Sequence, residues 1–185
     1  GILNKSTESH IDIYLFMYKR DFGLCLKDYF ALTGLPTLLP RYAFGVWWNR
    51  DIIYSMDNVK ALLTSFNNNE IPISVLLLNE FWHTKNKDNI LANKTGFTFN
   101  KELFYSPTEL TNYLHERGVR LGLELDPTEG IKPTEEAYPE FADELNYKNN
   151  ETIPFLAFDK MFIILYFEKL INPLTKLDID FYFLD

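Results

Sequence analysis

The stretch Ile73-Ser74-Val75-Leu76-Leu77-Leu78 is a nearly unbroken apolar run that opens directly onto Asn79-Glu80-Phe81-Trp82-His83. A strand wet on one face alternates apolar with polar residues, whereas one covered on both faces has no need to. This run therefore reads as a buried strand of a parallel sheet. The same signature recurs at Tyr42 to Trp48, at Val119 to Leu125 and at Phe181 to Leu184. Helical stretches fall between these runs. One begins at Asp57, carries Val59, Leu62, Leu63 and Phe66, and dissolves at Asn67-Asn68-Asn69. A second starts at Ser106-Pro107, an N-cap followed by proline, and runs to Arg117 before Gly118. A third spans about 159 to 177, after an excursion over 127–157 that holds Pro133, Pro139 and Pro154 and one short helix near 135–145. Strands at 43–48, 73–78, 119–125 and 180–184, in that spatial order, are the expected sheet of an α/β fold.

The loops that leave the second and third strands are long, and those that enter each strand are short. A (β/α)8 barrel places its working loops in this way, at the carboxyl ends of its strands. No Gly-x-Gly-x-x-Gly opens any of the helices, which weakens a dinucleotide-binding alternative. Four strand-helix units make the first half of such a TIM barrel, and 185 residues fall short of the roughly 250 of a typical whole one. The first and fourth strands would each keep an unpaired edge. Ahead of the sheet, Ile11 to Tyr18 alternates as a strand, and residues 21–33 read as a helix with Asp21 as N-cap and Gly34 as its stop.

Composition narrows the function. Eighteen Lys and Arg against 26 Asp and Glu leave a formal charge of −8. That balance argues against nucleic acid or an anionic membrane as partner. No apolar run approaches the ~20 residues of a membrane span, and the first residues lack the basic-then-apolar layout of a signal peptide, so a cytoplasmic location is expected. Cys25 is the sole cysteine, and His10, His83 and His115 are scattered, so no cofactor or metal is implied. Aromatics reach 16 %, and pairs such as Trp47-Trp48 and Phe81-Trp82 suit a sugar cleft as well as a core.

The strand ends supply the chemistry. Trp48, Asn49, Arg50 and Asp51 follow the first strand. Asn79, Glu80, Phe81, Trp82 and His83 follow the second, and Glu124, Asp126 and Glu129 the third; Asp185 follows the fourth. Carboxylates, aromatics and an arginine around one opening suit glycoside hydrolysis, in which two carboxyl groups ~5–5.5 Å apart give a retaining mechanism. Each residue also has a plainer reading: a carboxylate at a strand end often caps a helix or a turn. His83 reads as a loop hydrogen-bonder, and of the two consecutive tryptophans one should face the barrel interior and the other the helices.

The chain resembles glycoside hydrolase family 31, the α-glucosidase and α-xylosidase family. The resemblance rests on Asp28-Tyr29-Phe30-Ala31-Leu32-Thr33-Gly34, on Leu39-Pro40-Arg41-Tyr42-Ala43-Phe44-Gly45, and on Trp47-Trp48-Asn49-Arg50. It continues through Gly96 to Phe104, His115 to Arg120, Glu135-Glu136-Ala137-Tyr138-Pro139 and Asp180 to Asp185. The resemblance implies a barrel over 42–185, a linking helix and connector over 21–41, and the end of an N-terminal β-sandwich over 1–20. It implies a retaining α-glycoside hydrolase acting on an oligosaccharide or α-glucoside. Asp185 falls on the family's catalytic nucleophile, at the end of the fourth strand. Trp48, Arg50, Asp51, Asn79, Glu80, Trp82 and Asp126 become substrate-binding candidates. The family's acid/base aspartate lies beyond the fourth strand and has no counterpart in this chain. The chain would then need the other barrel half or self-association, and is expected to be inactive alone.

Two departures stand out. Where the family has Asp-x-Asp after the second strand, this chain has Asn79 and Phe81, and where many relatives carry an aromatic it has Asp51. Asn79, Phe81 and the stop at Asp185 favour a second reading, a non-catalytic remnant that binds carbohydrate weakly or assembles with another chain.

Overall fold

The computed structural model describes residues 13–84, 94–147 and 151–184. The chain forms two compact units, Gly1–Pro40 and Arg41–Asp185. In the first, helix α1 spans Phe22–Thr33. Asp21 accepts the Leu24 N–H at 3.0 Å as its N-cap. Gly34 ends it, at a positive φ of 88°. The strand expected over 11–18 is not formed where it is described: residues 13–18 have no regular structure, and Ile13, Leu15 and Met17 stand exposed. Alternation alone does not make a strand, because the ladder needs a neighbour, and no strand pairs with this segment among the described residues.

The second unit is built on four parallel strands in the order β1-β2-β3-β4: Trp47–Asn49, Val75–Leu78, Arg120–Leu125 and Phe181–Leu184. Helix α2 (Met56–Asn68) links β1 to β2, and α3 (Pro107–His115) links β2 to β3. Helix α4 (Tyr138–Glu144), then α5 (Lys160–Leu165) and α6 (Asn172–Thr175), lie between β3 and β4. Order, direction and alternation with helices are those of the first half of a (β/α)8 barrel.

Alternation along the strands sorts side chains between two faces. Leu76, Leu78, Leu121, Leu123 and Leu125 join Val59, Leu63, Leu110, Leu114, Phe162 and Leu174 in one core between sheet and helices. Val75, Leu77 and Gly122 belong to the opposite, inner face, where Phe181 lies over Gly122. A Cβ at Gly122 would come 2.4 Å from Phe181 Cζ, so glycine is what lets that ring in. Trp47 packs on the same ring, 5.0 Å between centroids.

Two sequence expectations need correction. The first strand was expected over 43–48 and buried, but Arg41–Phe44 is a 3-10 turn and β1 is only Trp47–Asn49, with Trp47 39 % exposed. The turn is closed by Gly45 N–H donating to Tyr42 O at 3.0 Å. A Cβ at Gly45 would fall 2.0 Å from Ser74 Oγ, so the chain enters the sheet through a contact that only glycine permits. β4 is likewise half open, with Phe183 and Leu184 exposed. Burial on both faces holds for β2 and most of β3, which have neighbours on each side, and fails at the two edges.

The helix expected over 159–177 is present but not uniform. Tyr166–Ile171 between α5 and α6 is π-helical, immediately ahead of Pro173. Proline has no N–H to return to the carbonyl four residues back, and its ring crowds that carbonyl. The ladder widens there instead of breaking. Burial of the same turn pushes the Tyr166 hydroxyl up to about 12.

Candidate functional site

The carboxyl ends of β1 and β2 bring together Arg50, Asp51 and Asn79. Asn79 continues the inner-face alternation of Val75 and Leu77 and is 5 % exposed. Its Nδ2 donates to Arg50 O at 3.1 Å and to Asp51 Oδ1 at 3.0 Å. Its Oδ1 accepts the Phe81 N–H at 3.3 Å, which caps the 3-10 turn Glu80–Trp82. Both Nδ2 hydrogens and one lone pair of Oδ1 are thus engaged within the protein. Arg50 and Asp51 are exposed, in a tight bend closed by Ile52 N–H to Arg50 O at 2.8 Å. Glu80 and Glu124 are half-buried at the same end of the sheet.

Other candidates lie elsewhere. Trp82 is 1 % exposed, donates Nε1–H to Glu124 O at 2.9 Å and packs on Phe99 at 4.8 Å. It has no open face for a sugar, so the structure makes it a core residue. Trp48 is turned to the helix layer: its indole meets Phe66 of α2 edge-on at 5.0 Å, and its Nε1–H donates to the Tyr54 hydroxyl at 2.8 Å. Of the tryptophan pair, Trp47 is the one on the inner face, and Trp48 packs toward α2. Asp126 Oδ1 accepts both the N–H and the hydroxyl of Thr128, at 2.9 and 2.5 Å, and so forms a turn. Asp185 lies outside the described residues. Among the described residues, no group of three or more His, Cys, Asp or Glu is placed to hold a metal ion, and no helix is long and apolar enough to cross a membrane.

The two long loops that rise from β2 and β3 are clasped together. Glu135 is 4 % exposed, and its Oε2 accepts the Phe97 N–H at 3.1 Å and the Thr98 hydroxyl at 2.7 Å. Burial pushes its carboxyl up from the usual range, against the pull of those two donors and of Lys132. Thr95 exchanges hydrogen bonds with Glu129: Glu129 N–H donates to Thr95 Oγ1 at 3.0 Å, and Thr95 N–H to Glu129 Oε2 at 3.3 Å. Partial burial opposes ionisation of Glu129, but the Lys132 ammonium 2.5 Å away and the Thr95 N–H hold its carboxyl below the ordinary value. His83 secures the base of the β2 loop, with ring nitrogens 3.1 Å from Thr84 O and 2.9 Å from Lys94 O, as its loop hydrogen-bonding reading expected. A cleft of about 510 Å³ opens beside the clasp, lined by Ile53, Phe81, Phe99, Lys101, Leu103 and Glu136.

Sequence reasoning passed over Glu135 and the threonines it binds. A single buried carboxylate in an irregular loop has no periodicity to betray it. Its only signal was the Glu135-Glu136-Ala137-Tyr138-Pro139 run within the family resemblance.

Comparison with known proteins places this architecture. Residues 36–168 match the model of the glycosyl hydrolases family 31 TIM-barrel domain. An α-xylosidase of Saccharolobus solfataricus is 30 % identical over 68 % of this chain, and an isomaltosyltransferase of Sporosarcina globispora is 30 % identical over 64 %. The chain spans 16 % and 12 % of those two proteins. Among solved structures, an α-xylosidase of Xanthomonas citri superposes with a TM-score of 0.68 at 17 % identity, over 90 % of this chain and 19 % of that one. The cycloalternan-forming enzyme of Listeria monocytogenes, solved with a pentasaccharide substrate, gives 0.67 at 17 % identity, over 89 % and 18 %. With its four parallel strands, its helix layer and this match over most of its length, the chain belongs to glycoside hydrolase family 31.

Proposed function

We propose that this chain forms part of the catalytic barrel of a retaining α-glycoside hydrolase. The observation that carries the reading is the family 31 match over residues 36–168, on a sheet whose carboxyl ends gather Arg50, Asp51, Asn79, Glu80 and Glu124. Relatives named as α-xylosidases support an α-linked glycoside as substrate. A neighbour solved with isomaltose supports an oligosaccharide. Asp185 attacks the anomeric carbon, and a carboxylic acid from outside the four strands protonates the leaving oxygen. Arg50, Asp51, Glu80 and Asp126 lie at the rim that meets the sugar. Domain limits at 1–20, 21–41 and 42–185 belong to this reading.

The engaged amide of Asn79 favours a second reading, in which the chain holds carbohydrate weakly and turns nothing over. One assay separates the two. Aryl α-glucoside and aryl α-xyloside are supplied to the protein in the length its relatives have, and the first anomer released is followed by proton NMR. Release of the α-anomer, abolished by Asp185→Ala, is expected; no turnover supports the remnant, and turnover indifferent to Asp185 overturns the role given to Asp185. The 185-residue chain by itself is expected to give no detectable hydrolysis, since general acid catalysis is worth about 10²–10⁴-fold.

A further inference from the structure

We propose that Asn79 is a positioning residue and that Asp51, which it holds, is the charged hydroxyl acceptor of this site. The inference rests on the glycoside reading above and names the group that recognises the sugar. Both acceptors opposite the Asn79 amide nitrogen, Arg50 O at 3.1 Å and Asp51 Oδ1 at 3.0 Å, require a donor at that atom. A carboxylate at position 79 would set lone pairs against lone pairs and bring two negative charges together. The pair therefore carries one amide and one carboxylate, and their burial decides which is which. Position 79 is 5 % exposed, where an ionised group would be costly to desolvate, whereas Asp51 is exposed and its charge stays hydrated until a ligand arrives.

The geometry also says how the carboxylate is used. One oxygen of Asp51 is fixed by Asn79, which halves the freedom of the group and aims the other. No described residue donates to Oδ2, so it is open to a hydroxyl from solution. A carboxylate fixed in this way accepts from the vicinal hydroxyls of a pyranose through short, charge-assisted bonds, roughly twice as strong as neutral ones. Asn79, 5 % exposed and with both Nδ2 hydrogens engaged, keeps only one lone pair of Oδ1 unused, so its main effect on the sugar passes through Asp51.

The test is a double-variant cycle on the full chain, read in two ways. Affinity for an aryl α-xyloside and an aryl α-glucoside is measured by calorimetric titration, and the melting temperature is recorded for every variant. Asp51→Ala is expected to weaken binding about tenfold or more with little change in melting, because Asp51 is exposed. Asn79→Ala should weaken it comparably, and Asp51→Ala added to Asn79→Ala should cost nothing further, as positioning demands and mere scaffolding does not. Asn79→Asp should lower the melting temperature, and Asp51→Asn on top of it should regain part of the loss. Binding by wild type with Asp51→Ala equally tight, or additive losses, overturns the role while leaving the glycoside reading intact. If wild type takes up neither probe, the role of Asp51 falls, while the glycoside reading is decided separately by turnover of the protein in the length its relatives have.

Discussion

Asp180 Oδ2 lies 2.7 Å from His115 Nε2, a contact between the end of α3 and the entrance to β4 across 65 residues of chain. The same carboxylate accepts the Leu121 N–H at 2.8 Å and Arg120 Nη1 at 3.1 Å, while the Asp180 N–H donates to Leu121 O at 3.0 Å. One side chain thus sets the register of β4 against β3 at the end of the sheet away from the site.

Replacing Asp180 should therefore cost stability without altering the carboxyl ends of the strands. Asp180→Ala strands a backbone N–H and an arginine, and a loss of about 2–3 kcal/mol is expected. Asp180→Asn keeps one acceptor for Leu121 and should lose about half as much. Chemical denaturation of the three proteins checks the order, and an Asp180→Ala midpoint equal to wild type would contradict it.

Gly122 is predicted to be intolerant of the smallest side chain. A methyl group there meets Phe181 Cζ at 2.4 Å and Leu77 Cδ1 at 3.0 Å. Overpacking of this kind costs about 1–3 kcal/mol. Gly122→Ala with Phe181→Leu should recover part of the loss, because the shorter side chain vacates the space. Absence of any recovery would place the strain in the backbone instead.

The Glu135 clasp gives a pH dependence with a definite sign. Its carboxyl titrates higher when folded than when unfolded. Between those two values the folded state holds more protons, so stability falls as pH rises. Glu135→Gln keeps an acceptor for Phe97 and Thr98 but does not ionise. Its stability relative to wild type should therefore grow as pH rises from the ordinary carboxylate range through the raised value. Glu135→Ala should be destabilised at every pH by about 1–3 kcal/mol, because the Phe97 and Thr98 donors stay buried. Parallel pH profiles for wild type and Glu135→Gln would refute the assignment.

The open edges of the sheet predict association. Trp47 and Phe183 on the inner face, Leu184 at the end of β4 and Phe44 ahead of β1 are all exposed. Leaving apolar surface wet costs about 25 cal/mol per Å², so covering ~400 Å² is worth roughly 10 kcal/mol, as much as a domain's net stability. The chain alone should dimerise, recruit a complementary barrel half or aggregate. A monodisperse species of 21.8 kDa with a cooperative melt in light scattering and calorimetry would contradict this.

What the sequence disclosed followed the strength of each local signal. Runs buried on both faces, at Val75–Leu78 and Arg120–Leu125, were legible, as were the caps at Asp21 and Ser106. The edges misled, since Tyr42 to Trp48 has a central strand's composition but becomes a turn and three strand residues. Nothing local tells a strand that it will have one neighbour. At the site, carboxylates at strand ends could be enumerated, but the direction of each side chain depends on its register. Trp48 and Trp82 were therefore grouped with Asp51 and Asn79, although one packs on α2 and the other inside the core.

The bonds between Thr95 and Glu129, and between Thr98 and Glu135, have a mechanical consequence. They tie residues 95–98 of the loop after β2 to residues 129–136 of the loop after β3, so these two stretches are set in place by each other. The shape of the rim on this side is inherited as a single piece. The exposed bend at Arg50 and Asp51 is free to change one residue at a time, whereas the clasped stretches change only in pairs.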